Sequence, residues 1–73
     1  MKTPYYRIQF IDLEDRVTEW KEEKFEDIKS IWTKYANLMD EHIVKGKLEL
    51  YRIIDDELGE DGRELIFMMV RRD

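Results

Sequence analysis

The stretch Leu65–Ile66–Phe67–Met68–Met69–Val70 is six unbroken apolar residues in a 73-residue chain of which 42% is charged. Side chains alternate across a strand, so a strand of this composition is apolar on both faces. The remaining sequence offers one amphipathic helix, enough to cover one face of a sheet. The other face calls for a partner or a second copy of the chain.

Just before this run, Gly59–Glu60–Asp61–Gly62 marks a turn, with Asp61-Gly62 the strongest local hairpin signal in the chain. Lys47 to Ile54 alternates as the preceding strand, and Glu64 to Arg71 returns. A four-residue loop pairs Ile54 with Phe67 and Ile53 with Met68. That register collects Leu48, Leu50, Ile54, Leu65, Phe67 and Met69 on one face. It leaves Tyr51, Ile53, Ile66, Met68 and Val70 on the other, where Tyr5 and Ile11 of an earlier strand can join them. A one-residue slip exchanges the two faces.

The helix covers the middle of the chain. Phe25, Ile28, Ile31, Trp32, Tyr35, Leu38, Met39 and His42 recur at spacings of three and four and so share one stripe. Glu26 and Asp27 suit the positive end of the helix dipole. Lys45–Gly46–Lys47 supplies the expected stop, a glycine free to take positive φ between two cations.

Before the helix, Tyr5 to Ile11 reads as a strand with Tyr6, Ile8 and Phe10 on one face, and Pro4 stands at its entrance. Asp12–Leu13–Glu14–Asp15 reads as a turn. Arg16 to Lys21 returns as a second strand, with Arg16, Thr18 and Trp20 on one face; a helix starting at Thr18 is the competing reading. The fold class is therefore α+β: a two-layer antiparallel sheet, β-β-α-β-β or β-α-β-β, with one helix packed on one face. It forms a single domain over 1–73.

Composition narrows the function. Zero cysteines exclude disulfides and thiolate metal sites and fit a reducing compartment. Met1–Lys2–Thr3–Pro4 leads into the first strand with no apolar leader, and six apolar residues fall far short of the roughly 20 that span a bilayer. A folded cytoplasmic protein is expected, in the host cytoplasm if a phage encodes it. The net charge of −5 is uneven: Asp12 to Asp27 and Asp55 to Glu64 each carry a net −5, and the remainder carries +5. Such segments repel phosphate and attract basic surfaces, although solvated loops and helix starts also account for them.

Catalytic material is scarce. One histidine, one serine (Ser30) and no cysteine leave little for a nucleophilic pair. Asp40 and Glu41 cannot both join His42 on one helix face, so a zinc site lacks ligands. The acidic loop fails the calcium-loop spacing, because Gly59 and Met68 would fall where oxygen ligands are required. No enzyme, cofactor or metal is expected. Tyr5, Tyr6, Phe10 and Tyr51 with Arg7, Arg52, Arg71 and Arg72 form a weak signal for single-stranded nucleic acid, opposed by a pI near 4.9.

A protein-binding module remains: a homodimer, a structural subunit of a larger complex, or an inhibitor of phage or mobile-element type. Its interface would be Tyr5, Ile11, Tyr51, Ile53, Ile66, Met68 and Val70. Asp55, Asp56, Glu57, Glu60 and Asp61 would present carboxylates to a basic, nucleic-acid-handling target in place of phosphates.

Overall fold

Asp12 builds the first turn without help from glycine. Its Oδ1 accepts the backbone N–H of Glu14 at 2.8 Å and of Arg16 at 2.9 Å, while Asp15 takes a left-handed φ of 65°. This turn joins strand β1 (Tyr5–Asp12) to β2 (Val17–Glu22), antiparallel and with Ile8 opposite Trp20. The second strand expected at 16–21 is therefore present, one residue later, and Trp20 faces inward. The computed structural model describes residues 4–73. The lead-in Met1–Thr3 lies outside the described residues.

Helix α1 (Phe25–Asp40) buries Ile28 and Met39 from its apolar stripe. It stops earlier than the glycine at 46 suggested. The N–H of His42 bonds to the carbonyl of Met39 at 3.1 Å and that of Ile43 to Leu38 at 2.9 Å. These are the two bonds of a Schellman cap, and His42 occupies its left-handed position at φ 60°. His42 thus lies beyond the helix rather than on its stripe. Gly46 instead opens β3 (Gly46–Ile53) opposite Asp12, at φ 153°. A Cβ there would stand 2.2 Å from the Ile11 carbonyl oxygen, so only glycine lets β1 and β3 approach.

A 3₁₀ segment (Asp56–Gly62) and β4 (Arg63–Arg71) complete the chain. The four strands form one antiparallel sheet in the order β2-β1-β3-β4. The architecture is β-β-α-β-β, a two-layer α+β fold. Ile8, Phe10, Ile28, Met39, Leu48 and Leu50 form the buried core between α1 and the sheet. Aromatic rings wall it: Tyr6 on Phe25 at 5.3 Å, Trp20 on Tyr35 at 4.7 Å and Phe10 on Tyr35 at 5.6 Å between centroids.

The last hairpin departs most from expectation. Asp55 Oδ1 accepts the N–H of Glu57 at 3.0 Å, and the N–H groups of Ile54 and Asp55 both reach the Gly62 carbonyl, at 2.7 and 2.9 Å. The connection therefore runs over 54–62, not four residues. Ile53 pairs with Arg63 and Leu50 with Phe67, and a bulge between Leu50 and Tyr51 leaves Ile66 as the extra residue. The expected pairs Ile54–Phe67 and Ile53–Met68 do not form. Leu65 lies opposite Tyr51 on the outward face, whereas Ile66 packs against the core; the expectation had these two reversed. Ile54, expected inside, lies past β3 and is exposed. Phe67 and Met69 keep the helix side, and Met68 and Val70 the outward side, as expected.

Candidate interaction surface

Alternation and register set the membership of the outward face. It carries Tyr5, Arg7, Gln9 and Ile11 from β1, Val17, Glu19 and Lys21 from β2, Lys47, Glu49, Tyr51 and Ile53 from β3, and Arg63, Leu65, Met68 and Val70 from β4. Among the described residues no helix lies on it; α1 packs on the opposite face. Among the described residues β4 has a strand on one side only, so its other main-chain edge is open.

A polar network occupies the centre of this face. Glu49 is 6% exposed, although it is charged and central. The Tyr51 hydroxyl donates to Glu49 Oε2 at 2.5 Å, and Lys47 Nζ stands 3.8 Å from the same oxygen. The guanidinium of Arg63 lies 4.9 Å from the centroid of the Tyr51 ring, and that of Arg7 lies 5.6 Å from it. Burial pushes the Tyr51 phenol above its ordinary range, the Glu49 hydrogen bond and charge add to this, and the two arginines oppose it. The phenol therefore stays protonated at neutral pH and donates. Among the described residues Arg7 Nε is buried with no hydrogen-bond partner.

Around this centre lies apolar surface. Leu65, Met68 and Val70 expose about half their area, as does Val17 at the far edge. Of the seven residues expected at the interface, Met68 and Val70 are exposed here, while Tyr5, Ile11 and Tyr51 are half-buried elsewhere on the same face. Two are not available. Ile53 is 3% exposed, between Tyr5 and Arg63, and Ile66 turns inward at the bulge. Sequence reasoning missed Leu65, Val17 and the Arg7–Tyr51–Arg63 stack. Leu65 is hidden by the bulge, but Lys47 and Glu49 alternating with Leu48 and Leu50 are a legible sign of a polar centre on one face.

On its helix side β4 is covered at Ile66 and Met69 but not at Phe67. Phe67 leans on Trp32 at 5.8 Å between centroids yet keeps 55% of its surface exposed. The segment 65–70 carries no charge, and β4 contains no proline. Those are the usual guards of a sheet edge.

The acidic residues divide among roles. Asp55 is half-buried and caps the 3₁₀ segment, so it is structural. Glu60 pairs with Arg63 at 3.5 Å. Asp56 lines an open groove of about 670 Å³ with Tyr5, Lys21, Glu22, Glu23, Lys24 and Asp27, which brings both acidic segments to one end of the sheet. Glu57 and Asp61 are exposed on the same segment. Asp12, Glu14 and Asp15 lie in the β1–β2 turn, where Asp12 and Glu14 pair with Arg16.

At the end of the chain His42 Nδ1 lies 3.3 Å from the Asp73 carbonyl oxygen and Nε2 lies 3.5 Å from Arg71 Nη1, while Arg71 Nη2 stands 3.5 Å from Asp40. This cluster ties the end of β4 to the end of α1. Among the described residues no group of three or more histidine, aspartate or glutamate side chains is placed to hold a metal ion, and no helix is long and apolar enough to cross a membrane. The aromatic residues weighed for base stacking are dispersed: Tyr6 and Phe10 pack on the helix side, and only Tyr5 and Tyr51 face outward. β3 separates β1 from β4, so Arg7 and Arg71 lie on different strands and different faces. No family model, curated protein or solved structure matches the chain.

Proposed function

We propose that this chain is a non-enzymatic protein-binding module that works through β4 and the outward face of its sheet. One observation carries the reading: β4 is an edge strand whose Leu65, Met68 and Val70 are exposed on one face and Phe67 on the other. Contiguous exposed apolar surface marks interaction sites. The polar centre formed by Glu49, Tyr51 and the two arginines supplies direction, because an incoming surface must match a fixed arrangement of charge. Self-association, a place as a subunit in a larger complex, and inhibition of a larger protein all use such a surface.

The test is affinity copurification of the tagged chain followed by mass spectrometry, beside the variants Leu65→Glu and Met68→Glu. A stoichiometric protein, another chain or itself, is expected with the wild type and lost with both folded variants. A monomeric wild type that retains no protein overturns the reading.

A second reading draws on the groove that gathers Glu22, Glu23, Asp27 and Asp56 at one end of the sheet. There the chain would meet a basic, nucleic-acid-handling protein, with carboxylates standing where phosphates would bind. Such binding weakens with added salt and on neutralising Asp56, Glu57, Glu60 and Asp61; binding indifferent to salt overturns it. Direct nucleic-acid binding is disfavoured by the net charge of −5 and the dispersed arginines.

A further inference from the structure

We propose that the outward face binds a phosphate group, as the free ion or as a monoester, between the guanidinium groups of Arg7 and Arg63 over the ring of Tyr51, with Lys21 beside them. The site lies on the face read above as the binding surface, yet it stands or falls without a partner protein.

Register brings these residues together from all four strands. Arg7 of β1 lies opposite Lys21 of β2 on one side and Tyr51 of β3 on the other, so the three form one row across the outward face. Arg63 opens β4 opposite Ile53, the next residue of this face on β3, and reaches back over the ring. Its guanidinium stands 4.9 Å from the Tyr51 centroid, and that of Arg7 stands 5.6 Å from it. Tyr51 is itself fixed, because its hydroxyl is committed to Glu49. Two cationic forks are thus held against one ring whose position the sheet sets.

The fold leaves this charge unanswered. Among the described residues neither Arg7 nor Lys21 has an ion pair. Arg63 has one, with Glu60 at 3.5 Å, and the Glu60 side chain is 89% exposed. Glu49, on the same face, is taken up by Lys47 and the Tyr51 hydroxyl. Nothing among the described residues accepts from Arg7 Nε, although the atom is buried, and a buried donor without a partner calls for an explanation. Like charges directly opposite one another on paired strands, as Arg7 and Lys21 are, destabilise the sheet. An anion seated beside both turns that cost into a determinant of binding.

Geometry and charge select the ligand. Arg7 and Arg63 reach Tyr51 from the strands on either side of β3, which suits the divergent oxygens of a tetrahedral phosphate better than the two coplanar oxygens of a carboxylate. Arg7 and Lys21 leave two charges to balance, and a phosphate monoester carries about −1.5 to −2 at neutral pH. The net charge of −5 opposes a polyanion such as nucleic acid, not a single group entering at this face. Of the carboxylates in the groove at this end of the sheet, Glu22 lies opposite Tyr6 and Asp27 lies on α1, both on the helix side.

An NMR titration with inorganic phosphate, exchanged against chloride at constant ionic strength, tests the proposal through the Nε–H signals of Arg7 and Arg63 and the Tyr51 ring. A saturable shift of all three is expected with wild type. Arg7→Gln is expected to weaken binding about tenfold, as loss of a charged donor does. Lys21→Gln, at an exposed position that leaves the core untouched, is expected to weaken it several-fold with an unchanged circular dichroism spectrum. Methyl phosphate in a parallel titration identifies the source: binding as tight as that of phosphate admits a group esterified to another molecule, and weaker binding assigns the free ion. Shifts that do not saturate, acetate binding as tightly as phosphate, or binding indifferent to Lys21→Gln overturns the site. None of these results bears on the protein-binding reading of β4, which falls only with a wild type that captures no protein.

Discussion

Tyr51 donates its hydroxyl proton to Glu49 Oε2 at 2.5 Å, two residues apart on the outward face of β3. Glu49 is 6% exposed, so its charge depends on that donor and on Lys47 at 3.8 Å. Removing the donor leaves a nearly buried carboxylate short of a partner, which costs about 1–3 kcal/mol. Tyr51→Phe should therefore destabilise the fold by that amount in urea unfolding. Pairing it with Glu49→Leu should recover most of the loss, since replacing both partners by apolar groups removes the unmet demand.

The same pair makes stability depend on alkaline pH. Burial and the Glu49 carboxylate raise the Tyr51 phenol above the ordinary 10.0. A folded-state pKa above the unfolded one means that the folded chain holds its proton longer. The contribution is therefore complete below about pH 10 and is lost as pH rises through the folded pKa. A tyrosinate absorbance titration should show one phenol ionising later than the rest and absent from Tyr51→Phe. Wild type should also lose more stability than Tyr51→Phe between about pH 10 and the folded pKa.

The bulge at Leu50/Tyr51 separates two neighbours that the sequence makes look alike. Ile66 packs on the core and Leu65 faces outward. Ile66 is partly buried against the core, so Ile66→Glu sets a charge into an apolar contact and should cost about 1–3 kcal/mol. Leu65→Glu should change stability by less than about 0.5 kcal/mol while weakening association. Thermal melts of the two variants decide between this register and an unbulged one, in which the effects would be reversed.

The origin of that reversal shows what could be read in the chain. Periodicity located α1, β1, β3 and β4, because Ile28, Ile31, Tyr35 and Met39, or Tyr6, Ile8 and Phe10, must share a face once the element forms; for β2 it left a helix starting at Thr18 as the competing reading. Facing within β1, β2 and most of β3 followed from the same alternation. Register did not follow, because it depends on loop length. Asp61-Gly62 suggests a tight turn, while Asp55 capping Glu57 and the bonds from Ile54 and Asp55 to Gly62 build a longer one. No local pattern announces a bulge inside an all-apolar run such as Leu65–Val70, where every residue suits either face. Charge alternating with apolar residues is more informative, as Lys47 and Glu49 beside Leu48 and Leu50 in β3 show. The interface was accordingly legible as a strand and a side of the sheet, but not residue by residue.

Three glycines differ sharply in what they permit, and the contrast tests the sheet directly. A Cβ on Gly46 would stand 2.2 Å from the Ile11 carbonyl oxygen at φ 153°, and both partners are main chain that cannot yield without parting β1 from β3. A Cβ on Gly62 would meet the Asp55 carbonyl oxygen at 1.7 Å, which breaks the closure of the 54–62 loop. Gly59 sits at φ 60° and ψ −127° with nothing within 4 Å of the added carbon, so its alanine variant carries only a backbone penalty of about 1–3 kcal/mol. Gly46→Ala should cost more than Gly59→Ala and raise amide exchange in β1 and β3. Gly62→Ala should instead loosen the β3–β4 hairpin and, with it, the position of the β4 edge. If all three alanine variants melt alike, close main-chain packing is not what these glycines provide.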